Sequence, residues 1–166
     1  MMRHCVAAAA AILVASAAPL SAQDYAPDRL KKSVTQADLV AVAGSLGHQV
    51  IEQGDASAVY IVAETQDATR YFLIGTACDV NDVPGCQGIM MQVRYDLPET
   101  ASFATLAKAN LEQAALNSWA DFEGKTLGFT RYQVLDNGVM MANIRENVNV
   151  LLVLVEETYP IAAGEE

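Results

Sequence analysis

Four short runs rich in β-branched and aromatic residues follow one another with little between them: His48 to Gln53, Ala58 to Glu64, Thr69 to Thr76 and Gly88 to Tyr95. Gly54-Asp55 separates the first two, and Gln66-Asp67-Ala68 separates the second from the third. Breaks this tight leave no room for crossover helices, so the runs predict a meander of antiparallel strands. That forces a nearly continuous sheet in the first half of the chain. The helices must then lie outside it.

Three helices are predicted around the strands. Thr35 and Asp38 have capping-box spacing, and Leu39, Val42, Ala43 and Leu46 recur on one helical face before Gly47 ends it. Pro98 stops the fourth strand, Thr100 or Ser102 can cap, and Phe103, Leu106, Ala107, Leu111 and Ala114 form a second helical stripe. Asn117 to Phe122 and Thr126 to Val134 read as two further strands around Glu123-Gly124, and Leu135-Asp136-Asn137-Gly138 is turn chemistry. Val139 to Tyr159 contains a β-branched stretch, Val148 to Val155, that could be a strand. Its length, and the shared face of Met140, Ile144, Val148, Leu151, Leu152 and Val155, favour a helix with Asn137 as cap. The resulting order, α-β-β-β-β-α-β-β-α, is an α+β class in which helices flank an antiparallel sheet.

Arg3 and His4 precede an apolar stretch from Cys5 to Ala18, followed by Pro19 and the small residues Ser21 and Ala22. This is the pattern of a Sec-type signal peptide over residues 1–22, with cleavage near Ala22-Gln23, and it implies a periplasmic or secreted protein. Loss of 22 of the 166 residues leaves 144, enough for one domain that buries a full core. Nine Lys and Arg then stand against 20 acids, a net charge of −11. Such a charge disfavours nucleic acid and anionic membranes as partners. Residues 23–34 are polar, contain Pro27 and Lys31-Lys32, and read as a flexible arm. Residues 159–166, ending in Glu165-Glu166, read as an acidic tail.

Behind such a leader, Cys78 and Cys86 meet an oxidising compartment and are expected to form a disulfide. Seven residues intervene, unlike the Cys-x-x-Cys of redox-active dithiols, so a structural staple is the expectation. The loop between them carries Asp79, Asn81 and Asp82, which motivates an alternative: a ligand or calcium sensor. An EF-hand is excluded, since Pro84 and Met90 stand where its Gly and Glu belong. Met90-Met91 and Met140-Met141 could offer thioethers to copper, but the two members of each pair should point apart. After cleavage His48 is the only histidine, and no motif surrounds it. No phosphate-binding glycine loop, zinc spacing or nucleophile elbow occurs, so neither an enzyme nor a cofactor is expected.

The run Phe72-Leu73-Ile74-Gly75-Thr76-Ala77-Cys78, the second cysteine at Cys86 and the apolar strand behind it resemble the YbjN-like family of bacterial proteins. The Gly47 turn, Asn110 in helix two, the strand around Trp119 and Asp136-Asn137-Gly138-Val139 fall where that family has similar features. The resemblance spans about residues 35 to 157, which marks 35–158 as a YbjN-like α+β domain. It implies a fold similar to class I type III secretion chaperones. The family is commonly labelled a sensory transduction regulator, a role the export signal puts in doubt here. Asn110 reads as a structural hydrogen-bonder. The expectation is an exported, non-enzymatic binding or chaperone-like module that holds another polypeptide on a sheet face or groove, with a homodimer open as an arrangement.

Overall fold

The computed structural model describes residues 25–55 and 57–165. The signal peptide expected over residues 1–22 lies outside the described residues. An α+β fold results, whose main sheet has six antiparallel strands in the order β2-β3-β4-β5-β7-β6. These are β2 Gln49–Asp55, β3 Ala58–Glu64, β4 Arg70–Cys78, β5 Cys86–Asp96, β6 Asn117–Asp121 and β7 Thr126–Val134. Helix α1, Gln36–Ser45, precedes the sheet, α2, Phe103–Glu112, joins β5 to β6, and α3, Met141–Ala163, closes the chain. Two short strands, β1 Leu30–Lys31 and β8 Val139–Met140, pair with each other apart from the main sheet.

Local chemistry explains most of these limits. The Thr35 hydroxyl accepts from the Asp38 amide while the Asp38 carboxylate accepts from the Thr35 amide at 2.9 Å, the capping box predicted for α1. Gly47, at φ +73°, turns the chain out of the helix. Gly54 and Asp55, expected as a break, belong to β2. The turn comes one step later, where the Asp55 carboxylate accepts from the Ser57 and Ala58 amides and so does the work expected of a glycine.

All three helices lie on one face of the sheet. Beneath them alternate strand residues are fully buried: Ile61 and Ala63 on β3, Tyr71 and Leu73 on β4, Ile89, Met91 and Val93 on β5, Leu127 and Phe129 on β7. Leu39, Val42 and Ala43 meet them from α1, and Ile144, Val148, Leu151 and Val155 from α3. The paired methionines diverge: Met91 and Met141 enter the core, whereas Met140 is exposed and Met90 lies on the opposite face of the sheet.

Residues 25–34 are not the flexible arm expected from their polarity. Leu30 and Lys31 pair with Met140 and Val139. The Pro27 and Arg29 carbonyls accept from the Ala142 and Met141 amides, both at 3.0 Å, and so satisfy the first turn of α3. Asn137 therefore is not the cap. The helix starts from Met140 without a side-chain cap, because neighbouring backbone supplies the acceptors. At the far end α3 runs through Ala163, so residues 159–163 are helix rather than tail. There the Thr100 and Thr105 hydroxyls donate to the Ala163 and Ala162 carbonyls at 2.6 and 2.8 Å.

Helix α2 also departs from expectation. Leu106 and Ala109 are its buried face, while Phe103, Ala107, Leu111 and Ala114 of the predicted stripe are exposed.

Asp38 ties the arm to α1. It is 5% exposed, and Lys31 Nζ reaches it at 2.7 Å and Arg29 Nη2 at 3.3 Å. Burial alone would push its carboxyl up, but the Lys31 ammonium and the Thr35 amide and hydroxyl outweigh it and hold the group below its ordinary 3.8. A depressed carboxylate stabilises the fold at pH values above the unfolded pKa, and that stability is lost as pH falls through the folded one. Asp38→Asn is expected to cost about 1–3 kcal/mol at pH 7, as for a part-buried charge that loses its charge-assisted hydrogen bonds. In urea titrations the gap from wild type should close as pH drops below 3.8.

Candidate functional site

The helices leave the other face of the sheet open. Its residues are the alternate set: Tyr60 and Val62 on β3, Phe72, Ile74 and Thr76 on β4, Met90, Gln92 and Arg94 on β5, Thr130, Tyr132 and Val134 on β7, and Trp119 on β6. A face turned to water usually alternates polar residues, yet this one is largely aromatic and aliphatic.

Glycines let the rings lie low. A side chain at Gly128 would overlap the Trp119 indole, and one at Gly88 would overlap the Tyr132 ring. Trp119 thus crosses β7, and Tyr132 crosses β5 to bring its hydroxyl within 2.8 Å of Thr76 Oγ1. On the edge pair, the Tyr60 ring crowds Gly54, and its hydroxyl donates to Glu52 Oε1 at 2.8 Å. Each ring covers bare backbone on a neighbouring strand, a known way of protecting strand glycines.

A polar relay runs between the rings. Trp119 Nε1 and Gln92 Nε2 both donate to Thr130 Oγ1, at 2.8 and 2.9 Å. Arg94 donates through Nε and Nη2 to Gln92 Oε1 at 3.0 and 2.5 Å, and its guanidinium lies 4.5 Å from the centre of the Phe72 ring. A cleft of about 340 Å³ opens beside it, with Tyr60, Phe72, Ile74 and Arg94 in its lining and Glu52 on the far side.

Both edges of the sheet are interrupted. On β6, Asn110 of α2 donates to the Ser118 carbonyl at 3.0 Å and accepts from the Ser118 amide at 2.8 Å, so one side-chain amide takes the place of a neighbouring strand. Its structural role is this plug. At the other edge, the β2–β3 register shifts between Val50 and Glu52 and again between Gln53 and Asp55. Such irregularities interrupt the row of free backbone groups that a new strand would need.

Cys78 and Cys86 are register partners on β4 and β5 and are joined as a disulfide. Cys86 is fully buried, while Cys78 is exposed. Val34 bridges to the Cys86 backbone in both directions, at 2.9 and 2.8 Å, and Ser33 Oγ donates to the Pro84 carbonyl at 2.7 Å. Asp79, Asn81 and Asp82 have φ of 53°, 54° and 59°. That left-handed backbone is tolerated best by Asn and Asp after Gly, which accounts for the residue types that suggested an oxygen cage. Asp79 Oδ1 is occupied with the Gly85 amide at 3.0 Å. Among the described residues no group of three or more His, Cys, Asp or Glu side chains could hold a metal ion.

His48 lies outside the open face. Its Nδ1 is 2.9 Å from the Tyr71 hydroxyl, at a cleft of about 310 Å³ that Thr65, Asp67, Tyr95 and Glu156 also line. Burial and the nearby Arg145 charge lower the pKa of the ring, and burial raises that of the Tyr71 phenol. A neutral imidazole therefore meets a protonated, fully buried phenol, which is a core contact rather than a base beside an exposed nucleophile.

Closing a loop of this size should stabilise the fold by about 2.5 kcal/mol in the chain-entropy model. Cys78→Ser with Cys86→Ser is expected to lower the urea midpoint accordingly, and dithiothreitol should produce a similar shift in the wild type. An unchanged midpoint would remove the staple.

No family model matches this chain. No curated protein matches it. Solved structures do. YbjN of E. coli, a proposed transcription regulator, is similar at TM-score 0.55 and 11% identity over 74% of this chain and 84% of that one. A chain of the ExsC–ExsE complex is similar at TM-score 0.54 and 13% identity, over 76% and 92%. A chain of the HopA1–SchA chaperone–effector complex is similar at TM-score 0.50 and 11% identity, over 77% and 91%. At these identities the likeness establishes a shared fold: a twisted antiparallel sheet with its helices gathered on one side.

Proposed function

We propose that this protein is an exported, non-enzymatic binding module of YbjN-like type that holds another polypeptide against the helix-free face of its sheet. The observation that carries the reading is the open face itself: aromatic and aliphatic side chains from five strands line it, mostly half-buried, with Tyr132 55% and Val134 57% exposed. The likeness to chains found in a chaperone–effector complex and in the ExsC–ExsE complex supports polypeptide binding, as fold analogy. The leader pattern and the cysteine pair support a periplasmic or secreted location. Interruption of both edges supports placing the partner across the face rather than beside an edge strand.

A photo-crosslinking amino acid placed at Ile74 or Tyr132 should trap a small, reproducible set of polypeptides in the native compartment. The same group at Glu157, exposed on α3, should not. Equal trapping at all three positions, or none, would remove the reading.

A second surface favours self-association. On α2, Phe103 is 79% and Leu111 84% exposed, with Ala107 midway between them. Two such helices packed antiparallel about Ala107 would set each Phe103 against the other copy's Leu111, with the facing alanines letting the axes approach. Light scattering at about 100 µM should then give a dimer mass that falls to the monomer in Leu111→Glu. A monomeric wild type at that concentration would exclude the dimer.

A further inference from the structure

Arg94 is set into the open face with unusual care for an exposed cation. Gln92, only 6% exposed, uses its carbonyl oxygen to hold two of the guanidinium N–H groups and its amide to bind Thr130, which Trp119 braces in turn. Among the described residues Arg94 forms no ion pair, and three of its five N–H groups have no partner. The position of the charge is thus fixed, while most of its hydrogen-bonding capacity points outward. That is the arrangement a carboxylate-binding arginine requires.

The opposite side of the same cleft carries the complementary sign. Glu52 accepts from the Tyr60 hydroxyl through one oxygen, and among the described residues it too forms no ion pair. Glu52, Val62, Phe72 and Gln92 are successive register partners, one row running across four strands. Arg94 folds back onto that row, its guanidinium over Phe72. The row therefore reads anion, apolar floor, cation. Because the guanidinium lies over Phe72 on β4, the two charges are two strand spacings apart, roughly 9.5 Å, a distance an extended chain covers in about three residues.

We infer that the bound segment lies extended across the strands and carries an acidic side chain on Arg94 and a basic one on Glu52, about three residues apart, with apolar residues between them over Tyr60 and Ile74. This rests on the polypeptide-binding reading and adds to it the chemistry of the partner. The chain's own net charge of −10 gives no general attraction for acidic segments, so acceptance of one is local to Arg94.

The test selects phage-displayed random dodecapeptides against the mature protein with its disulfide intact, and measures the affinity of the winners by fluorescence anisotropy. The expected consensus pairs Asp or Glu with Lys or Arg about three positions apart around aromatic or aliphatic residues. Arg94→Gln should weaken such peptides about tenfold or more, the loss of a charge-assisted contact. Selection on Arg94→Glu should replace the acidic position by a basic one, and Glu52→Lys should do the reverse at the other end. Thermal melting checks that each variant is folded. An unaltered consensus from the two charge-reversed proteins would overturn the inference while leaving polypeptide binding in place. Failure to select any peptide, or winners that still bind Tyr132→Asp and Ile74→Asp, would defeat the reading on which the inference rests.

Discussion

The structure depends on one constraint: a sheet of six strands is covered on a single side. With α1, α2 and α3 all gathered there, every strand from β3 to β7 must serve two environments at alternate residues. On the covered side this yields a conventional core around Tyr71, Leu73, Met91, Val93 and Phe129. On the other side it leaves a problem, since a face rich in Trp, Tyr, Phe and Ile stands in water. The molecule meets it internally, by lying rings flat over glycines and linking them through Thr130 and Gln92. That solution lowers the exposed apolar area without removing it. What remains is a firm, shallow surface whose side chains are already positioned.

Interruption of the edges bears on the proposed use of this surface. An antiparallel sheet with free edges binds polypeptide most readily by pairing backbone, which is largely indifferent to sequence. Here Asn110 occupies the β6 edge at Ser118 and bulges disturb β2, so a polypeptide held as proposed would be read mainly by side chains on the face. Recognition of that kind can discriminate among partners. It also spares the molecule edge-to-edge aggregation.

Sequence reasoning read some of this directly and missed the rest for definable reasons. The limits of β3 and β7, the Thr35–Asp38 box and the helical state of Val148 to Val155 were legible because local chemistry and period agreed with the fold. The arm was misread because its partners are distant: polarity says nothing of Pro27 and Arg29 carbonyls waiting for the start of α3. Helix α2 was misread because it is apolar on two sides, so periodicity alone could not say which side meets α3 and β6. Asn137 looked like a cap because no residue nearby reveals that backbone from elsewhere takes that place. The open face left one faint signal, Gly128 across from Trp119 and Gly88 diagonal to Tyr132, which has meaning only once register is known. Arg94 and Gln92 gave none, being ordinary polar residues in a strand.

The arm joins the two ends of the folding problem. Leu30 and Lys31 can pair only with Met140 and Val139, and α3 is completed only when Pro27 and Arg29 reach it, so these contacts close the longest loop in the described chain. Contact order predicts that closure of such a loop follows hairpin formation, with the β2–β5 meander forming before the arm docks. Cys86 becomes sealed beneath Val34 only at that last step. Until then the sulfur pair stands open at the rim of a hairpin that has already formed, so the order of assembly favours oxidation first and burial afterwards. The arm is in this sense a latch that shuts over a finished bond.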